Sequence, residues 1–291
     1  MKKVYAICAV AAVFFCLPVF FLSCELLDPE LKIPAYIHID SIPLAADYGT
    51  QGSSSARIAD AWVYSDEKLV GVFELPCTLP LLASGNHDLL IKAGIIMDGM
   101  AATRGPYPFY TIYGQPVALT AGSVININPL VAYYPATVFE WIEDFDKPGI
   151  TIKSTAKSDT SVLIQKVHGD SAFEGGTSAY VSMNRNNVIF ECENTSCISL
   201  PKGGASVYLE LNYKTNWQVV TGLITFDLAG SIQEPVVILN PTATWKKIYI
   251  SLTDMVSSHP DALCYRVFFG LSNTASAEKI ELYLDNIKLV H

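Results

Sequence analysis

Apolar and polar residues alternate with a period of two along much of this chain after residue 30. Within residues 207–213, for example, Val207, Leu209, Leu211 and Tyr213 fall on one face of an extended strand, because successive strand side chains point to opposite sides. No stretch after residue 30 has the sustained apolar recurrence at three and four residues that an amphipathic helix needs. The sequence therefore predicts an all-β fold.

Clusters of Gly, Pro, Ser and Asn divide the first half of the chain into short candidate strands, and their spacing suits a small sandwich. This succession of strands and turns is interrupted at residues 128–135, and a second unit begins at Phe139. The chain is thus predicted to form two β-rich units. The candidate strands of the first unit are residues 35–42, 57–64, 68–74, 88–93 and 117–127.

Two strands of the second unit carry distinctive patterns. Residues 245–252 again place alternate apolar residues on one face, and Trp245 at the start of this strand is predicted to lie in the core. The last strand, residues 279–290, changes phase at Asp285 and Asn286. Such a phase change predicts a β-bulge.

The first thirty residues have the layout of a secretory signal. Two lysines at positions 2 and 3 precede nineteen uncharged residues, 4–22, and then Ser23 and Cys24. Nineteen such residues would also suffice to span a bilayer, so a retained membrane anchor is the alternative. The sequence therefore predicts either an exported chain or one held by a single membrane-spanning segment.

Residues 21–24, Phe-Leu-Ser-Cys, resemble the lipobox of bacterial lipoproteins, with Phe21 where Leu is usual, and looser boxes of this kind are similar to those of Bacteroidota. The resemblance implies a signal peptide at 1–23, lipidation of Cys24, and a lipid tether at 24–33. Two or more acyl chains suffice for stable membrane anchoring. Because residues 1–23 contain two lysines and no acidic residue, the formal charge would change from -9 to -11.

The tether is acidic, with Glu25, Asp28 and Glu30 close behind Cys24. These residues resemble the signal that exports Bacteroidota lipoproteins to the outer face of the outer membrane. The resemblance implies a lipid-anchored protein exposed at the cell surface. An ordinary acidic tether is the alternative.

Part of the first unit has a recognisable order of motifs. Residues 61–71 form a candidate hairpin, Pro76 and Pro80 follow, and then comes the sequence Gly-Asn-His-Asp-Leu-Leu-Ile at 85–91. This order resembles the PEGA and carboxypeptidase-regulatory types of immunoglobulin-like or transthyretin-like domain. It implies an Ig-like β-sandwich over residues 34–134. The insertion at 98–113 departs from that pattern, either as an interaction loop or as an aromatic-packed surface loop.

Three pieces of the second unit resemble, in their order, jelly-roll carbohydrate-binding modules of the galactose-binding-like group. They are the opening Phe-Glu-Trp-Ile-Glu-Asp-Phe at 139–145, the strand 245–252, and the closing Leu-Asp-Asn-Ile at 284–287. The resemblance implies a jelly roll over residues 138–291. Members of this group bind glycan, protein or no known ligand, so the resemblance leaves the ligand open.

The same resemblance implies a structural calcium held by Glu143 or Asp144 together with Asp285, because a hard cation takes several oxygen ligands. Solvent-facing acids at strand ends are the alternative. No other cofactor is expected, because the sequence lacks the paired Cys or His spacing of a zinc site.

Sugar recognition needs an exposed aromatic ring flanked by planar polar groups. The segment at 213–218 meets that description best, through Trp217, Tyr213 and Asn216. Arg185, among three asparagines, is predicted to face the same surface. Packing of Trp217 in the core is the alternative.

Two predictions concern covalent modification. Cys192 and Cys197 enclose a polar turn, so a disulfide across a hairpin is predicted for an oxidising compartment, with Cys77 and Cys264 free and buried. Ser41 and Ser171 each follow an Asp and resemble the short O-glycosylation acceptor of Bacteroidota.

The charge balance and the absence of catalytic motifs narrow the range of functions that the sequence predicts. Nineteen basic against 28 acidic residues, with no basic run beyond positions 2 and 3, argue against a nucleic-acid partner. The chain has no GxSxG, HExxH or phosphate loop, although carboxylates that meet in three dimensions leave a glycosidase open. The leading hypothesis is a non-enzymatic outer-membrane lipoprotein that binds glycan through its jelly roll. The alternative is a structural or accessory subunit of an outer-membrane assembly, adhesin or secretion apparatus, with a protein partner.

Overall fold

In a computed structural model of the chain, which describes residues 33–291, almost all regular structure is β-strand, and the all-β prediction is confirmed. Within those residues, no sheet joins strands from both halves of the chain. One hydrophobic core lies wholly within residues 141–289, and a second is formed by residues 35–133 together with three side chains from the later half. Neither α-helix of the described range is long and apolar enough to cross a membrane.

The earlier half forms a first β-sandwich, and buried aliphatic side chains such as Ile37 and Ile91 fill its core. Its one-turn helix α1 spans Tyr48–Gln51. Its strands are β1 (Ala35–Ile39), β2 (Leu44–Ala45), β3 (Asp60–Ser65), β4 (Lys68–Glu74), β5 (Cys77–Leu81), β6 (Gly85–Ile96), β7 (Arg104–Pro106), β8 (Tyr113–Leu119), β9 (Val124–Ile127) and β10 (Val131–Ala132). They pair in the orders β5-β1-β9 and β4-β3-β6-β7, with β8 also on β6 and β2 beside β10.

The single strand predicted at 117–127 is wrong. The chain turns at residues 120–123, where Gly122 adopts a positive φ of 75° and the Ser123 amide donates to the Thr120 carbonyl. The turn moves the chain from one sheet to the other, because β8 pairs with β6 whereas β9 pairs with β1. Apolar alternation continues across the turn and therefore hides it in the sequence.

The later half forms a second β-sandwich of two sheets. Its strands are β11 (Phe139–Glu143), β12 (Ile152–Ser154), β13 (Gln165–His168), β14 (Thr177–Asn184), β15 (Ile189–Asn194), β16 (Tyr208–Thr215), β17 (Val219–Phe226), β18 (Ser231–Leu239), β19 (Lys246–Ser251), β20 (Cys264–Ser272) and β21 (Lys279–Val290). Helix α2 spans Thr253–Ser258. We call β12-β15-β20-β17-β18 the front sheet and β13-β14-β21-β16-β19, with β11 also on β21, the back sheet.

Two predictions for the back sheet are confirmed. Val207, just before β16, and the alternate residues of β16 that the period-two pattern assigned to the same face are all buried in the core of the second sandwich. The predicted bulge in β21 is present, because Glu210 pairs with Lys288 whereas Asn212 pairs with Asp285, and Asn286 has a positive φ of 47°.

The insertion at 98–113 packs between the two sandwiches. Tyr107 and Tyr110 are buried, and the Tyr107 ring lies 5.2 Å from the ring of Tyr208 and 5.0 Å from that of Tyr249. The insertion is thus aromatic-packed, but against the outer face of the back sheet rather than on the surface. The contact joins the two halves of this chain.

A buried charged group lies beneath this aromatic contact. Glu210 is fully buried and accepts hydrogen bonds from the hydroxyls of Tyr107 at 2.7 Å and Tyr133 at 3.0 Å, and Lys247 Nζ lies 3.1 Å from its Oε2. Although burial opposes ionisation, Lys247 and Lys288 hold the pKa of Glu210 below its usual value. Burial in turn lowers the pKa of Lys288 to about 7. The interface therefore depends on charges that compensate each other out of water.

Candidate functional site

The outer face of the front sheet carries a groove of about 930 Å³. This volume is in the range of known ligand sites, roughly 300–1,000 Å³. Strands β15, β17, β18 and β20 supply the floor, and the loop between β16 and β17 closes one end. The residues that line it include Lys157, Glu191, Asn216, Trp217, Gln218, Val220, Gln233, Gly270 and Ser272.

At the centre of the groove floor stands a glycine, which has no side chain to project into the groove. Gly270 lies in register between Glu191 on β15 and Val220 on β17. A Cβ there would meet the Val220 carbonyl oxygen at 3.8 Å, an ordinary contact, so packing does not require glycine. The missing side chain instead leaves space above the sheet.

Trp217 stands at the end of this floor, and its orientation is fixed. Its indole Nε1 donates to the carbonyl oxygen of Ser272 at 3.0 Å, and its backbone amide donates to Thr215 Oγ1 at 3.1 Å. The ring packs against the core of the second sandwich and also lines the groove. The packing and ligand interpretations of Trp217 are therefore compatible.

Planar polar side chains line the side of the groove. Glu191 accepts hydrogen bonds from Gln233 Nε2 at 2.6 Å and Thr155 Oγ1 at 2.9 Å, and Lys157 Nζ lies 3.4 Å from its Oε1. Lys157 also donates to the Gln233 side-chain oxygen. Glu191 is buried while Lys157 is exposed and Gln233 is half-buried, so the network presents an amide and an ammonium to the groove that Trp217 also lines.

The other residues predicted to bind ligand are placed differently. The prediction that Tyr213 contacts ligand is wrong. Tyr213 is only 2% exposed and packs in the core, because it lies on the inward face of β16. Asn216 lines the groove, but its amide donates to the Lys279 carbonyl and accepts from the Glu281 amide, so it positions the loop that carries Trp217. Arg185 is not among the lining residues.

Arg185 lies instead in the loop between β14 and β15, where it pairs with Glu278. The prediction that it faces the groove is wrong.

The prediction that Trp245 lies in the core is also wrong. Trp245 is partly exposed on the outer face of the back sheet, and its ring lies 5.4 Å from that of Phe173. An aromatic residue at a strand end is free to follow the outward face, and the alternation of β19 places it there.

The acids predicted to hold calcium are engaged within the protein. The Glu143 carboxylate accepts from the amides of Phe145 and Thr151 and from the Thr151 hydroxyl. Asp144 accepts from the Asp146 amide, and Asp285 accepts from the Ser178 hydroxyl and the Asn286 amide.

Burial raises the pKa of Asp285 to about 7, which disfavours the charged form that a cation needs. An ammonium also occupies the neighbouring loop, because Lys166 Nζ donates to the carbonyl oxygens of Phe145, Lys147 and Gly149. Across residues 33–291, no group of three or more His, Cys, Asp or Glu side chains is arranged to hold a metal ion. The residues present therefore do not fit the calcium site that the resemblance implies.

The predicted disulfide is wrong in its pairing. Cys197 bonds to Cys264, 67 residues away, with their Cα atoms 5.4 Å apart. Ile198 and Tyr265 exchange backbone hydrogen bonds in an isolated β-bridge, which brings Cys197 and Cys264, the residues just before them, close together. Cys192 points into the core, where burial raises the pKa of its thiol to about 12, while Cys77 is free and half-buried.

The modification predictions concern other parts of the chain. Cys24, with the signal and most of the tether, lies outside the described residues. Ser41 and Ser171 are both exposed, with Ser41 beyond the end of β1 and Ser171 in a single 3-10 turn. Their glycosylation stays a prediction.

Sequence reasoning missed the polar side of the groove. Lys157, Glu191 and Gln233 are 34 to 76 residues apart along the chain and belong to no motif. Only Gly270 offered a local signal, since a glycine inside a strand marks a bulge or an approach by another group. That signal does not distinguish a ligand from a neighbouring strand.

Comparison with known proteins gives structural similarities only, since no protein-family model and no curated protein matches the chain. The C-terminal family 22 carbohydrate-binding module of Clostridium thermocellum xylanase 10B aligns at 15% identity with a TM-score of 0.37, covering 54% of this chain and 96% of that one. A mutant family 29 carbohydrate-binding module complexed with mannohexaose aligns at 11% identity with a TM-score of 0.32, over 53% and 91% of the two chains.

The enzymatically active domain of bacteriophage CBA120 tailspike protein 4 aligns at 14% identity with a TM-score of 0.39. It covers 50% of this chain, and the aligned part spans only 20% of the tailspike chain. The structures similar to this chain thus include both carbohydrate-binding modules and an enzymatically active domain.

Proposed function

We propose that this protein binds a glycan in the groove of the front sheet. The observation that carries the proposal is the fixed and partly exposed indole of Trp217, which lines the same groove as the half-buried Gln233 amide and the exposed Lys157 ammonium. An aromatic ring stacks on the apolar face of a pyranose, and planar polar side chains recognise its hydroxyls. The resemblance of the sequence to carbohydrate-binding jelly rolls is compatible with this ligand class.

We propose further that the groove binds without catalysis. Glu191 is the single carboxylate among the groove residues, all of which lie in the described range. Hydrolysis of a glycosidic bond uses two opposed carboxylates, about 5–10 Å apart. Glu191 is also engaged by three neighbouring side chains, so it is placed to orient polar groups rather than to transfer a proton.

A lipid anchor at Cys24 and exposure at the cell surface complete the proposal. The lipobox-like sequence before Cys24 supports it, as does the Cys197–Cys264 disulfide, which is typical of proteins outside the cytoplasm. Cys24→Ala is expected to abolish incorporation of labelled fatty acid, whereas Cys77→Ala should leave it unchanged. Labelling that persists in the Cys24 variant would refute the anchor.

Trp217→Ala is expected to weaken glycan binding about tenfold, since loss of one stacked ring removes roughly 1–2 kcal/mol of affinity. Trp217→Phe should retain most of the affinity. The measurement is a glycan array with the full-length chain, followed by titration of the best oligosaccharide. A zwitterionic detergent is required, because the lipid anchor proposed at Cys24 needs detergent and maltoside headgroups would compete for a sugar site.

The matched control is Leu228→Ala, which removes an apolar side chain that is 94% exposed at the tip of the β17–β18 hairpin and outside the groove. Its affinity should equal that of the unmodified chain. An array without any bound glycan, or a Trp217→Ala variant with unchanged affinity, would count against the groove.

A further inference from the structure

A second cleft lies where the two sandwiches meet, on the back sheet and thus on the opposite side of the second sandwich from the groove. Its volume is about 550 Å³. The segment before β3 forms one wall, and the strand ends and loops of the second sandwich form the other. The residues that line it are Ser55, Ala56, Arg57, Phe173, Asn212, Thr242, Thr244, Trp245, Lys246 and Lys247.

This cleft gathers buried polar atoms that lack a partner. Among the described residues, Asn212 Oδ1, Thr242 Oγ1, Trp245 Nε1 and Lys247 Nζ are buried and make no hydrogen bond of acceptable geometry. Asn212 is only 2% exposed. Leaving a buried polar group unpaired costs roughly 1–3 kcal/mol. Lys247 has Glu210 as its counter-charge, so three atoms around this cleft, on Asn212, Thr242 and Trp245, remain without a partner and indicate a missing one.

The charge of the cleft is positive although the protein is acidic. Arg57, Lys246 and Lys247 line it, and none of its lining residues is Asp or Glu. Lys247 is compensated by Glu210, whereas the side chains of Arg57 and Lys246 form no ion pair or hydrogen bond with any residue of the described range. Glu174, next to Phe173, accepts from the Ser53 hydroxyl instead.

The position of Arg57 is nevertheless fixed, because its backbone amide donates to the Tyr249 hydroxyl at 3.0 Å. A fourth cation lies close to the cleft, since Lys214 Nζ is 5.7 Å from the centroid of the Trp245 ring. Trp245 and Phe173 pack edge to face beside these cations. The cleft thus combines an aromatic surface with donors that suit a negatively charged group.

We propose that this cleft binds an acidic saccharide, with Arg57 and Lys246 pairing the anionic group and Trp245 contacting the sugar ring. A carboxylate and a sulfate would both satisfy the donors. The site is separate from the Trp217 groove and uses different residues. A result against binding in this cleft can therefore be distinguished from a result against binding in the groove.

The test is titration of the full-length chain, in zwitterionic detergent, with oligogalacturonate as the carboxylated probe and a heparin oligosaccharide as the sulfated probe. A dextran oligosaccharide is the neutral probe. At least one acidic probe is expected to bind, and the neutral probe is not expected to occupy this cleft. Arg57→Gln and Lys246→Gln should each weaken the acidic interaction about tenfold, because each removes a charged hydrogen bond.

Two controls separate this cleft from general charge and from the groove. Lys68→Gln removes the same charge from an exposed residue of the first sandwich and should leave affinity unchanged. Trp217→Ala should also leave acidic binding unchanged. Absence of binding by both acidic probes, equal losses in the Lys68 and Arg57 variants, or unchanged affinity in both cleft variants would overturn the proposal. Melting curves matching the unmodified chain confirm that the variants are folded.

Discussion

Glu210→Leu is expected to lower the free energy of unfolding by about 3–5 kcal/mol, the usual cost of removing one partner of a buried ion pair. The carboxylate compensates Lys247 and Lys288 and accepts from the hydroxyls of Tyr107 and Tyr133. Its loss would leave two buried lysines without a counter-charge and two buried hydroxyls without an acceptor. Urea unfolding, followed by tryptophan fluorescence, measures the change.

The stability of two further variants should be compared with that of Glu210→Leu. Glu210→Leu combined with Lys247→Met should be more stable than Glu210→Leu alone, because an apolar pair of similar volume often replaces a buried ion pair at little cost. Glu140→Gln breaks the partly exposed contact with His291 and should change stability by less than about 1 kcal/mol. If Glu210→Leu unfolds at the same urea concentration as the unmodified chain, the charges do not support the interface.

Gly222→Ala is expected to destabilise the second sandwich by about 3 kcal/mol or more, at or above the upper end of the usual cost of overpacking. A Cβ at Gly222 would lie 2.1 Å from the Glu234 carbonyl oxygen and 2.8 Å from Pro235 Cα, so backbone atoms of β18 would have to move. The register shift between β17 and β18 occurs at this position and brings the strands into that close approach. Urea unfolding measures the loss of stability.

Gly270→Ala is the matched control on the neighbouring strand. The added methyl group meets only ordinary contacts there, at 3.8 Å from Val220 O and 3.9 Å from Glu191 Oε2, so stability should stay within about 1 kcal/mol. The methyl group would rise from the groove floor and should weaken glycan binding without unfolding the chain. Equal stabilities of the two alanine variants would contradict the packing argument.

Much of the strand pattern followed from the sequence. The buried face of β16 and the bulge at Asp285 and Asn286 were predictable because both depend on the alternation of consecutive side chains. The predicted strand at 117–127 failed for the same reason. The turn at Gly122 leaves the alternation intact, and only the pairing partners of β8 and β9 reveal it.

Two residues of the candidate site, Trp217 and its neighbour Asn216, were predictable from the sequence. Trp217 could be selected because an aromatic ring flanked by planar polar side chains at a strand end suits a sugar ring and its hydroxyls. Tyr213, four residues earlier, was lost to the core because it continues the inward face of its strand. The partners of Trp217 in the groove could not be selected, because Glu191 and Gln233 meet only when β15, β20, β17 and β18 lie side by side.

By itself the sequence determined the all-β class, the inward faces of individual strands and the position of the bulge, because each depends on residues that are neighbours along the chain. Only the tertiary structure decided that Cys197 bonds to Cys264, that the insertion packs between the sandwiches, and that cations and unpaired polar atoms gather around one cleft. These contacts join segments tens of residues apart. Their partners are set by strand order and by how two sheets and two sandwiches pack, which the alternation of apolar and polar residues does not encode.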